Sequence, residues 1–212
     1  DVLNPLAEGA RELVQRMAED VLNVCGEVSY FHLGGDEAWS FGTHPDTRAY
    51  VAEHGKAALY LHHVEPICRM LNDRGVRPIL WHDMMIGWAG DALERLAAQA
   101  DLCVWGYRGR PDTTDHHHKA SVIRQFVKHR VPIWGAGAYK GATAPDADLT
   151  DNDRHTDNAV GWAEATPVYN LKGVFATAWS RYSTHNVCCE TTEASLDSLI
   201  NVAVILHNGG SA

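Results

Sequence analysis

The sequence predicts an α/β fold with a parallel sheet, and three observations carry that expectation. Along 212 residues, short apolar runs alternate with longer stretches of helical periodicity. Five such runs are bounded by helix-like segments, the pattern of repeated βα units. Tryptophan, tyrosine, aspartate and glutamate gather where those runs end. Periodicity alone leaves doubly wound and barrel arrangements open. The third observation selects the TIM (β/α)8 barrel, whose functional residues stand at the C-terminal ends of its strands. A complete barrel has eight strands, so five units correspond to strands four to eight plus the preceding helix, and strands one to three are expected upstream of residue 1. The whole chain, 1–212, is expected to be one partial barrel domain.

Taken in order, the first helix is predicted over about 5–24, where Leu6, Ala10, Leu13, Met17 and Val21 recur at helical spacing and Gly26 stops it. A strand over about 28–33 follows and ends at Gly34-Gly35-Asp36-Glu37. One long helix is predicted over about 47–73, with Ala57, Leu61, Val64, Cys68 and Leu71 as its buried stripe and Gly75 as its stop. Strand 78–81 comes next, and then a short helix from Asp91 with Glu94 as its capping-box partner. Strand 102–105, a helix over about 118–129, strand 131–134 and a polar loop over about 140–153 continue the alternation. A helix over about 154–168, strand 174–179 and a helix over about 192–207 close it, the last with Leu196, Leu199, Ile200, Ala203 and Val204 inward.

Bulk properties narrow the function. Hydrophobic content of 45% and charged content of 21% are those of an ordinary globular protein. A net charge of −9 without a Lys/Arg cluster argues against a nucleic-acid partner. No apolar run has the roughly 18 residues of a membrane span, so no membrane partner is expected. Cys25, Cys68, Cys103, Cys188 and Cys189 match no zinc spacing. They read as small buried hydrophobes in a reducing compartment, which points to the cytoplasm.

The strongest chemical signal is Phe31-His32-Leu33-Gly34-Gly35-Asp36-Glu37. Adjacent acids on a regular strand point to opposite faces. Two glycines before them allow a bulge that turns both carboxylates into one pocket. At the other strand ends stand Trp81, Trp105, Tyr107, Trp134, Tyr139 and Trp179. Aromatic faces pack on the C–H face of a pyranose, while carboxylates bind its hydroxyls, so this set reads as the wall of a sugar pocket.

The segment His32 to Glu37 resembles the His-x-Gly-Gly/Ala-Asp-Glu signature of glycoside hydrolase family 20, the β-N-acetylhexosaminidases. Trp81-His82-Asp83-Met84-Met85 is similar to that family's Trp-Asp-Asp-Met stretch, with His82 in place of the first Asp. Trp105-Gly106-Tyr107 resembles its strand-six aromatic pair. Ala138-Tyr139-Lys140-Gly141-Ala142 and Ala178-Trp179-Ser180-Arg181-Tyr182, followed by Glu190, are most similar to the hexosaminidase D branch.

The resemblance implies hydrolysis of terminal β-linked N-acetylglucosamine or N-acetylgalactosamine by a retaining, substrate-assisted route, without cofactor or metal. Glu37 would be the general acid and base, its pKa raised. Asp36 would orient the 2-acetamido group, with Tyr107 or Tyr139 assisting. Trp179 would stack under the sugar, and Trp81 and Trp105 would enclose the acetamide methyl. Asp83 and Glu190 would bind hydroxyls, and His32 would support the acids. The implied partners are glycans ending in N-acetylhexosamine. The family's substrate-binding Arg belongs to strand one, so Arg108, Arg110 and Arg181 are not given that role.

Two other readings use different features. Thirteen histidines invite a metal-dependent TIM-barrel hydrolase. Only His32 and His82 lie at strand ends, however, while His62-His63 and His116 to His118 read as incidental histidines of a helix and a loop. An inactive sugar-binding fragment would keep the tryptophans but has no need of adjacent acids.

Overall fold

The computed structural model describes residues 2–113, 120–142, 149–179 and 193–209. The five strands are β1 (Tyr30–His32), β2 (Arg77–Trp81), β3 (Asp101–Trp105), β4 (Ile133–Lys140) and β5 (Val174–Ala178), and they follow one another in the sheet in chain order. The helices are α1 (Ala10–Cys25), α2 (Pro45–His54), α3 (Lys56–Asp73), α4 (Gly90–Ala97), α5 (Ala120–Lys128), α6 (Asn152–Tyr169) and α7 (Leu196–His207). The α/β alternation expected from sequence is therefore present. The chain forms two compact units, residues 1–102 with 129–132, and residues 103–128 with 133–212.

In the first unit β1 and β2 pair in parallel, with His32 opposite Ile79. Leu59, Leu61, Ile67 and Leu71 of α3 are fully buried, as are Ile79 and Leu80 of β2. Leu22, Leu71 and Val76 form a cluster against which Phe31 and Leu33 pack. The strand is thus held up to the point where the Gly-Gly segment begins. Buried Asp101 accepts from Arg77 Nε at 2.8 Å and neutralises it at the other end of β2. In place of one helix over 47–73, there are two. Gly55 at φ +85° ends α2 by donating its N–H to Val51 and starts α3, a backbone state that glycine adopts at little cost.

In the second unit β4 and β5 pair in parallel, with a bulge between Ala138 and Lys140. β4 is longer than the 131–134 expected, because its Gly-Ala-Gly-Ala stretch continues the strand beneath α6. A Cβ on Gly135 would press on the Trp162 ring, and one on Gly137 on the Asn158 amide. Trp134 consequently lies at the N-terminal end of its strand, where its ring meets Phe175 at 5.2 Å. It does not share the strand-end position assigned from sequence.

Two apolar stripes also differ from expectation. The buried residues of α1 are Ala10, Ala18 and Leu22, while Leu13, Met17 and Val21 are exposed, Met17 at 59%. In α7 they are Ser198, Val202 and Ile205, while Leu196, Leu199, Ile200, Ala203 and Val204 are exposed. Both helices carry apolar residues on more than one side. The face turned inward carries Leu22 beside Ala10 and Ala18 in α1, and Val202 and Ile205 beside Ser198 in α7. Cys68 and Cys103 are buried free thiols, and burial pushes Cys68 up to about 12; Cys25, at the end of α1, is exposed. Among the described residues no helix is long and apolar enough to cross a membrane.

Candidate active site

In the first unit the chain leaves β1 through a left-handed turn. Gly34 (φ +74°), Gly35 (+87°) and Glu37 (+46°) all have positive φ. For Glu37 this is an uncommon state that surrounding bonds must hold. Those bonds are present. Leu33 N–H donates to Ile79 at 2.8 Å, and Gly34 C=O accepts from Trp81 N–H at 3.0 Å. Gly34 N–H donates to His32 Nδ1 at 3.0 Å. The Tyr60 hydroxyl donates to Gly35 C=O at 3.2 Å. Glu37 N–H donates to Asp83 Oδ2 at 2.8 Å. Gly35 leaves no choice of residue, because a Cβ there would collide with the Tyr60 hydroxyl.

The turn breaks strand alternation and leaves both acids exposed. Although Asp36 reaches solvent, partial desolvation within the turn raises its pKa, and the nearby charge of Asp83 adds to it, against a hydrogen bond from its own backbone amide. Asp83 is only 8% exposed. His32 packs its ring on Trp81 at 4.3 Å, and burial lowers its pKa to about 4. It is neutral at pH 7 and uses Nδ1 as an acceptor, which suits a support for the turn rather than a proton donor. Tyr60 is held edge-on against Phe41 (5.7 Å) and Trp88 (5.5 Å), and burial keeps its hydroxyl protonated.

In the second unit the aromatics form their own group. Trp105 and Tyr107 stack at 5.6 Å and 15°, and Tyr107 meets Trp179 edge-on at 6.2 Å. Trp179 is 39% exposed, with its N–H bound to Lys140 C=O at 3.1 Å. The loop that carries Tyr107 is fixed by one face of α6. Arg154 Nε donates to Tyr107 C=O (3.0 Å), Asn158 Nδ2 to Gly109 C=O (2.9 Å) and Trp162 Nε1 to Gly106 C=O (2.9 Å). These three residues recur every fourth position and so share a helix face. Tyr139 is placed differently, packed against Ala159, Ala163, Val202 and Ile205 between α6 and α7.

The structure thus gathers Asp36, Glu37, Asp83, His32 and Trp81 in the first unit, and Trp105, Tyr107 and Trp179 in the second. Glu190, with Arg181 and His116 to His118, lies outside the described residues. Sequence reasoning missed Tyr60 and the Arg154, Asn158 and Trp162 face. The four-residue spacing of a cation, an amide and an indole on α6 was the available signal for the latter. Tyr60 gives none, since a tyrosine beside a buried helix stripe reads as core. Among the described residues no three histidine, cysteine or acidic side chains come together as a metal site.

The pattern described as glycosyl hydrolase family 20, catalytic domain, matches residues 1–191. Hexosaminidase D of Bos taurus is 29% identical to the chain over 98% of it, and hexosaminidase D of Homo sapiens 27% over 98%. The chain spans 62% of the bovine protein and 44% of the human one. A family 20 β-N-acetylglucosaminidase superposes on 94% of the chain with a TM-score of 0.55 at 19% identity, covering 39% of that structure. The β-N-acetylhexosaminidase of Bacteroides fragilis superposes on 100% with a TM-score of 0.56 at 12% identity, covering 47% of that structure. These likenesses bear on the fold, and they match the five βα units to part of a TIM-barrel enzyme.

Proposed function

The chain belongs to glycosyl hydrolase family 20, and from that premise we propose that it serves an exo-acting β-N-acetylhexosaminidase that releases terminal β-linked N-acetylglucosamine or N-acetylgalactosamine with retention. The acetamido oxygen of the substrate attacks C1 as the glycosidic C1–O bond breaks, and Glu37 gives its proton to the departing oxygen. The resulting oxazolinium is opened at C1 by water, from which Glu37 takes a proton back. Asp36, ionised, accepts the acetamido N–H and offsets the positive charge of the ring intermediate.

The observation that carries this reading is the tied-down left-handed turn. It frees two adjacent acids from strand alternation and exposes both, which a helix cap or a plain binding surface does not require. For Trp81 in the first unit and for Trp105 and Trp179 in the second, the family resemblance implies apolar faces for the sugar and its acetyl methyl. Of the two tyrosines, Tyr107 is favoured for the acetamide, because it stands with Trp105 and Trp179 whereas Tyr139 packs between helices. Asp83 is assigned to holding the Glu37 amide rather than to a sugar hydroxyl, because its Oδ2 accepts from that amide and the residue is only 8% exposed. Glu190 keeps the hydroxyl-binding role that the family resemblance implies.

The test uses matched aryl β-glycosides that differ only at C2. The acetamido sugar should turn over, and its 2-hydroxyl counterpart should hardly react. A thiazoline analogue of N-acetylglucosamine should inhibit tightly, because it resembles the cyclic intermediate. Comparable rates on the two substrates would overturn substrate assistance and point to a protein nucleophile.

A further inference from the structure

Two hydrogen bonds flank one residue of the turn. The Tyr60 hydroxyl donates to Gly35 C=O, the carbonyl of the peptide just before Asp36. Asp83 Oδ2 accepts from Glu37 N–H, the amide of the peptide just after it. Together they fix the peptide planes on both sides of the Asp36 Cα. With both planes fixed, the direction of the Asp36 Cα–Cβ bond is set, and only its side-chain rotation remains.

The surroundings show why two anchors are needed. Three residues of Gly34–Glu37 have positive φ, so the segment lacks the regular hydrogen bonding that would otherwise hold it. Tyr60 reaches the turn only because residue 35 is glycine, and Phe41 and Trp88 fix its ring. Asp83 comes from the 3-10 turn Asp83–Met85 directly after β2, and β2 is the strand that pairs with β1. Both anchors therefore stand on elements packed under the turn.

We infer that Tyr60 and Asp83 are positioning residues that aim the Asp36 carboxylate at the substrate's acetamido group by clamping the peptides on either side of it. The inference rests on the proposed role of Asp36 and adds the means by which that role is met. A group that must meet a small amide in one orientation loses its effect when misplaced by about an ångström. Substrate binding spread over the whole sugar is much less sensitive.

The experiment is a double-mutant cycle on the full chain, with an aryl β-N-acetylglucosaminide as substrate. Tyr60→Phe keeps the ring contacts and removes only the hydroxyl. It should lower kcat about tenfold, the effect of one buried hydrogen bond, with KM changed much less. In the Asp36→Asn background the same substitution should cost almost nothing, since there is no charge left to aim. Thermal melts of all four proteins allow the assays to be run well below each transition. If Tyr60→Phe does not fold, Asp83→Ala removes the anchor on the other side and runs in the same cycle. Equal losses in both backgrounds, the result of a merely structural role, would overturn the inference, as would no loss in either. A wild-type kcat for Asp36→Asn alone would instead remove the functional reading on which the inference rests.

Discussion

In the first unit the acids stand on a backbone that hydrogen bonds hold in an unfavourable conformation; in the second, the aromatic rings hold one another. Gly34 to Glu37 receives bonds from His32, Tyr60, Trp81 and Asp83 within four residues. Trp105, Tyr107 and Trp179 contact one another ring to ring, the α6 side chains hold the carbonyls of the loop that carries Tyr107, and the Trp179 N–H is bound to Lys140 C=O. Hydrogen bonds fix direction, and ring contacts fix position with some freedom of angle. That suits a proton and charge chemistry that depends on orientation, and a sugar platform that depends on contact area. Substitutions in the first set should therefore appear in kcat, and those in the second in substrate affinity.

The largest effect belongs to Glu37. Glu37→Gln should lower kcat by about 10²–10⁴-fold on substrates with poor leaving groups, the span of general acid catalysis. Substrates with a very acidic leaving group, which needs less protonation, should lose far less. Steady-state kinetics on a graded series of aryl leaving groups reads this directly. Equal losses across the series would remove Glu37 as the general acid.

Trp179→Ala should act in the other way. Removing the exposed indole face should weaken binding of N-acetylhexosamine or of a thiazoline analogue by roughly 1–3 kcal/mol, the scale for burying a large side chain. The kcat at saturation should move little. Calorimetry on the folded variant measures the first quantity and saturation kinetics the second. A fall in kcat with affinity intact would mean that Trp179 aims a reacting group, and the division between the two units would lose its basis.

The same division separates what could be read from the sequence from what could not. Gly-Gly-Asp-Glu is legible because a strained turn demands glycine at fixed places, and adjacent acids are unusual there. The βα alternation is legible because apolar period and helix stops coincide, although Gly55 splits a helix that the apolar pattern continues through. The supports are much less legible. Tyr60 looks like one more core residue until Gly35 C=O is seen against its hydroxyl. Trp134 looked equivalent to Trp179 because strand ends were judged from apolar content. The alanine and glycine of β4 extend that strand to Lys140, which leaves Trp134 at its start. The stripes of α1 and α7 were placed on other apolar faces: apart from Ala10, the buried residues are Ala18 and Leu22 in α1 and Ser198, Val202 and Ile205 in α7. Periodicity finds a face but does not choose between two apolar ones.

The smallest expected effect concerns pH, and it tests whether Asp83 acts by its charge as well as by its bond. Asp36 must be ionised to offset the oxazolinium charge, so its protonation in the free enzyme sets the acidic limb of the kcat/KM profile. Its pKa is raised, first by burial and then by the Asp83 charge, while its own backbone amide opposes both. The acidic limb should therefore lie above the usual carboxylate range: activity is full at higher pH and falls as Asp36 takes up its proton. Asp83→Asn keeps a side-chain oxygen that can accept from Glu37 N–H, and it deletes the negative charge. Burial remains, so the limb should stay above the usual range, but it should move to lower pH than in the wild type. Positioning should be largely kept, so the plateau kcat should fall much less than in Asp83→Ala, where bond and charge are both lost. A limb that does not move in Asp83→Asn would assign the acidic limb to another group. A plateau that falls as far as in Asp83→Ala would mean that a neutral amide oxygen is too weak an anchor for the strained Glu37 amide, and that Asp83 holds the turn through its charge.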